Sequence, residues 1–134
     1  MDEKFKYIDN INFNKLLERL TDEKKCQFID PLMDMELAEA LFFKYRCFLK
    51  LFVLYPTKTL VPTIGIDIIW HYHILDTKQY MEDCTYLFNK YMHHVPNYSL
   101  YTDKAKVLQE DTMKKLFLEH FNTDYFTVYK DDIF

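Results

Sequence analysis

Asp67, His71, His73, Asp83, Cys84, His93 and His94 are the residues of this chain whose types and spacing could do chemistry. Four of the five histidines, the only tryptophan, the only glycine and one of the three cysteines lie between residues 65 and 94. Ligand-type side chains do not gather this way in an ordinary core. On a helix, with about 100° between successive residues, Asp67, Trp70, His71 and Ile74 form one stripe. A carboxylate one turn before an imidazole can accept one ring proton, which fixes the tautomer and leaves the other nitrogen for a metal or a substrate. His73 points elsewhere on a regular helix. It shares a metal with His71 only if the backbone distorts or the segment is strand-like, where residues two apart face the same way.

The next stripe is Tyr80, Asp83, Cys84, Leu87, Phe88 and Tyr91. A carboxylate on so apolar a stripe needs a dedicated partner, because burying it alone costs several kcal/mol. A histidine of the preceding helix is the expected partner. A zinc site built from two or three of His71, His73, His93 and His94, completed by Cys84 or an Asp, fits these residue types, with iron as the second metal. Asp67 and Asp83 are then the candidate general bases or orienting groups for a metal-activated water, which points to hydrolysis. Neither CxxC nor HExxH occurs, so no standard metal motif is present.

Two other readings use the same residues. In one, the His, Asp and Trp side chains form a buried polar clasp between helices, and the domain is a non-catalytic interaction module. Tyr98, Tyr101, Tyr125, Phe126 and Tyr129 then supply an aromatic surface for a protein partner. In the other, Cys84 is a nucleophile activated by a nearby histidine. Cys84 as a small buried residue is the bland counterpart, as are Cys26 and Cys47 on apolar helix faces and Trp70 in the core. His120 is expected at the surface or in a helix-end charge interaction.

The elements that must position these groups read as helices. With 134 residues, 49% hydrophobic and 28% charged, the chain is one domain, large enough to hide roughly two thirds of its unfolded surface. One glycine and four prolines are too few for the tight turns of an all-β fold. Amphipathic spacing predicts helices over 11–20 and from Thr21, as N-cap, through Ile29. Asp34 caps the longest helix, 35–54, which is apolar around most of its circumference and therefore central. A loop over 55–65 is followed by helices over 66–74, from Asp76 or Thr77 to 92, and over 102–121. The expectation is an all-α, compact orthogonal bundle of five or six helices over 1–121, with an acidic, aromatic tail over 122–134.

Net charge is −4 and no basic run exceeds two residues, which disfavours nucleic-acid binding. The most apolar stretch, Leu41–Tyr55, carries Lys44, Arg46 and Lys50 and is too short and too charged to span a membrane. The start Met-Asp-Glu-Lys has no apolar run after it, so a cytoplasmic chain with reduced thiols is expected. The oligomeric state is not legible.

Tyr45-Arg46-Cys47-Phe48-Leu49-Lys50-Leu51, Val61-Pro62, Asp67-x-x-Trp70-His71-x-His73, Tyr80, Asp83-Cys84, Phe88 and His93-His94-x-Pro96 together resemble the glycine-rich domain-containing protein-like family over about residues 40–100. The resemblance implies a small helical domain without an established reaction. Asn89 stands where that family has Gly, and Asn tolerates a left-handed turn there.

Overall fold

The computed structural model describes residues 2–22, 33–94 and 103–126. Among them are six helices and no strand: α1 (Asp2–Asn10), α2 (Asn14–Thr21), α3 (Met35–Leu54), α4 (Ile64–Leu75), α5 (Thr77–Phe88) and α6 (Asp103–Phe121). The all-α bundle expected from the sequence is what forms.

Helix α3 is the axis, and α1, α2, α4, α5 and α6 all pack on it. Its Ala38, Leu41, Tyr45, Phe48 and Leu51 are completely buried. The expected cap is present: the Asp34 carboxylate accepts from the Leu37 amide at 2.8 Å. Asp34→Ala is therefore expected to cost about 1 kcal/mol, read as a shift of the urea-unfolding midpoint with unchanged slope.

The polar helix α1 has no counterpart in the sequence reading, which began its first helix at residue 11. It is held from outside. Ile8 is buried, and the Arg46 guanidinium of α3 donates to the carbonyls of Ile8 and of Ile11, the latter at 2.9 Å. Both carbonyls lie where the chain leaves α1, and the Ile8 carbonyl also accepts from the Ile11 amide at 3.3 Å.

Thr21 is the last residue of α2. Its hydroxyl donates back to the Leu17 carbonyl at 2.8 Å. The helix expected to reach Ile29, and Cys26 with it, lies outside the described residues. The connection before α4 is shorter than 55–65, because the Thr63 hydroxyl accepts from the Ile66 amide at 3.1 Å and starts α4 at Ile64. Helix α5 stops at Phe88 rather than 92: Asn89 takes the left-handed conformation, φ 57° and ψ 21°, as expected for Asn at this turn. His120 lies in the last turn of α6, exposed, 2.7 Å from the Tyr55 hydroxyl.

The described part of the tail is an arm on the bundle. Tyr125 is buried against Phe117 and donates to the Val61 carbonyl at 2.7 Å. The Lys44 ammonium donates to the carbonyls of Asp124 and Phe126. Tyr125 is thus a core residue and not part of an exposed aromatic surface: its ring fills space beside α6 while its hydroxyl finds a main-chain partner. Phe126 is half-buried. Tyr98, Tyr101 and Tyr129 lie outside the described residues. Among the described residues, no helix is long and apolar enough to cross a membrane.

Cys47 is buried on α3, and burial pushes its thiol up from 9.0 to about 11. Burial likewise raises the phenols of Tyr45 and Tyr80 above their usual 10.0. A group whose proton is held more tightly in the folded state contributes stability that is intact below its unfolded pKa and lost above it. The urea midpoint is therefore expected to hold up to pH 9.0 and to fall as pH approaches 11. Cys47→Ala should flatten the first part of that fall.

Candidate functional site

Helix α4 carries two faces of opposite use. Its outer face holds Asp67 and His71, one turn apart, with Ile64, Ile68 and Leu75 along the same side. Its inner face holds Ile66, Ile69, Trp70 and His73, all buried. After Asn89 the chain leaves α5, and residues 91–94 run back to α4.

On the outer face, His94 reaches Asp67: its Nε2 is hydrogen-bonded to Asp67 Oδ1. The His94 ring lies flat on the Trp70 indole, with centroids 4.1 Å apart and planes within 4°, and its centroid is 4.7 Å from that of His71. His71 Nδ1 lies 2.6 Å from the main-chain oxygen of Asp67 and 3.6 Å from the carboxylate. The sequence suggested that the Asp67 carboxylate orients His71. The structure gives that task to the Asp67 carbonyl, because the carboxylate has swung to His94. The outcome for His71 is the same: with Nδ1–H donated, Nε2 carries a free lone pair.

One ligand atom each from Asp67, His71 and His94 can be chosen so that all three lie within 4.8 Å of one another. The side chains are 35%, 56% and 15% exposed respectively, so the group is open on one side. Exposed Ile64 and Leu75 flank it along α4.

The inner face holds a second, closed cluster. His73 Nε2 is 2.8 Å from Asp83 Oδ2, and His73 Nδ1 is 2.6 Å from the Tyr45 hydroxyl. Asp83 Oδ1 accepts from the Tyr7 hydroxyl at 2.6 Å and from the Gln79 amide at 2.8 Å. His73 and Asp83 are each only 1% exposed. Burial, then the hydrogen bond to Asp83, raises the Tyr7 phenol, and burial raises that of Tyr45. Both therefore stay protonated and able to donate. With His73 Nε2–H given to Asp83, its Nδ1 accepts from Tyr45. The cluster ties α1, α3, α4 and α5 together.

The structure thus divides the expected site residues. Asp67, His71 and His94 come together. His73 does not join His71, because α4 is a regular helix and turns the two rings to different faces. Asp83 has the expected histidine partner from the preceding helix, but its two oxygens are occupied and it is 1% exposed, a setting that does not suit the expected role of catalytic base. His93 is exposed beside the Tyr91 ring, centroids 4.7 Å apart, and is not in the Asp67, His71 and His94 group. Cys84 is buried, and burial pushes its thiol up, which opposes the thiolate that a ligand or nucleophile needs.

Sequence reasoning missed Tyr7, Tyr45 and Gln79. Gln79 stands four residues before Asp83, a spacing that would have found it. Tyr7 and Tyr45 are far away in the chain and left no local signal.

The chain belongs to the UCP032817-like family, whose model matches residues 3–124. This corrects the resemblance drawn from the 40–100 motif: nothing in the match indicates the glycine-rich domain-containing family. No curated protein and no solved structure matches the chain.

Proposed function

We propose that this protein binds one divalent transition-metal ion, zinc in the first instance, through Asp67, His71 Nε2 and His94. The observation that carries this reading is that one ligand atom from each of these three side chains lies within 4.8 Å of the other two, on a half-open face. Two imidazoles and a carboxylate leave room for a water or substrate oxygen in a tetrahedral zinc site. The same set suits Fe(II), which makes iron the alternative metal. The ion would take the place of the proton between His94 Nε2 and Asp67. When bound, it would supply an acidified water for hydrolysis. Asp67 would then act as a ligand rather than as a general base, and the Asp67 carbonyl would hold the tautomer of His71. The free, buried thiols of Cys47 and Cys84 fit a reducing, cytosol-like compartment.

A second reading is favoured by the direct Asp67–His94 hydrogen bond. That bond fastens segment 91–94 to α4 without an ion, as a structural or interaction module would need. Zinc titration of chelator-treated protein against a competing chromophoric chelator separates the two. About one tightly held equivalent supports the metal site. Binding no tighter than that of a Asp67→Ala/His94→Ala double variant would leave the clasp.

A further inference from the structure

We infer that the Tyr80 hydroxyl is the positioning group of the outer site: by joining Trp70 to Met92 it sets where His94 stands. Its link to metal capture rests on the metal-site reading; its effect on His94 does not.

Tyr80 is buried on α5. Its hydroxyl accepts from the Trp70 indole N–H at 2.9 Å and donates to the Met92 carbonyl at 2.5 Å. One hydroxyl thus uses its donor and an acceptor to bridge α4 and the segment that carries His94. Both partners bear on the ligand. Trp70 is the surface on which the His94 ring lies, and Met92 is two residues before His94 in the chain.

Three of the contacts that hold segment 91–94 in place bear directly on His94: Tyr80 to Met92, Trp70 to His94, and Asp67 to His94. A metal ion would displace only the last. The two that run through Tyr80 and Trp70 would remain and hold His94 at the ligand position, so the cost of ordering that segment is met by the fold before the ion arrives. Capture of the ion and docking of the segment are then one coupled equilibrium. Trp70, read from sequence as core, is both core and platform.

Tyr80→Phe is the test, since it keeps the ring that packs edge-on to His73 and Tyr91 and removes the bridge, together with the contact of the hydroxyl with the Cys84 thiol. Two readouts are needed on the folded variant. The first is the ring-proton shifts of His94 at fixed pH, assigned with His94→Ala. The face of the stacked indole displaces them upfield, and in Tyr80→Phe they should move toward the positions of unstacked His93 while those of His73 stay. The second is zinc affinity, expected to fall about tenfold, as for loss of a group that orients a ligand.

Unmoved His94 resonances with unchanged zinc affinity overturn the inference and leave the metal site standing. Moved His94 resonances in a protein whose wild type binds no zinc uphold the positioning role and remove the metal reading. Should Tyr80→Phe not fold, Trp70→Phe breaks the same bridge from the other end while keeping a ring. A His94 ring still held against α4 in that variant, seen as retained contacts from its ring protons to those of residue 70, counts against the bridge.

Discussion

Asp67→Ala, His71→Ala and His94→Ala are each expected to weaken zinc binding by more than about a hundredfold, while His93→Ala and Cys84→Ala leave it within about threefold. The contrast follows from the geometry. The first three place ligand atoms within 4.8 Å of one another, whereas His93 lies beside Tyr91 and outside that group, and Cys84 is enclosed, its thiol pushed up by burial. His71 is exposed, so its removal should leave helical content and unfolding midpoint nearly unchanged, whereas Asp67→Ala and His94→Ala also take away contacts of segment 91–94 and should lower the midpoint slightly with helical content kept. Equilibrium titration with a competing chelator, beside far-ultraviolet circular dichroism, measures both. Equal loss of affinity on His93→Ala would place the ion elsewhere. So would retained affinity in His71→Ala, the variant that takes away the most exposed ligand without touching the Asp67–His94 bond.

Asp83→Ala is expected to cost about 3–5 kcal/mol of stability, since it leaves buried donors without their charged acceptor. Tyr7, Gln79 and His73 all give a hydrogen bond to this carboxylate. Their loss would weaken the tie of α1 to α5, leaving the Lys4–Leu87 hydrogen bond and the Tyr7–Tyr86 stack, and would take the acceptor from His73 Nε2–H. Asp83→Asn keeps the shape but places an amide N–H against one of these donors, so a smaller cost, about 1–3 kcal/mol, is expected. Urea unfolding followed by circular dichroism gives both values. A pair of midpoints indistinguishable from wild type would mean that the clasp contributes nothing and that Asp83 is held for another reason. The two variant series also test whether the faces of α4 are independent. Loss of the inner cluster should lower stability without selectively removing the outer ligands, and loss of the ligands should do the reverse.

Much of this was legible in the chain. The 35–54 helix, its Asp34 cap and its central place follow from an apolar circumference and a capping carboxylate, both local properties. The crowding of histidines between 65 and 94 is likewise visible without coordinates, as is the need of Asp83 for a histidine from the preceding helix. Helix α1 was not visible. Asp2–Asn10 is too polar to announce itself, and its order comes from Ile8 in the core and Arg46 at its end, contacts made by a helix far along the chain. Short helices draw most of their stability from such packing.

By itself, then, the sequence determined the class of fold and the stretch in which chemistry is concentrated, because periodicity, caps and residue type act over one or two turns. Only the tertiary structure decided which histidine serves which carboxylate. The turn of α4 separates His71 from His73, and the left-handed residue Asn89 sends the chain back to α4 with His94 rather than His93 facing it. Those choices depend on where α4, α5 and segment 91–94 meet, a relation between distant parts of the chain that no local spacing contains.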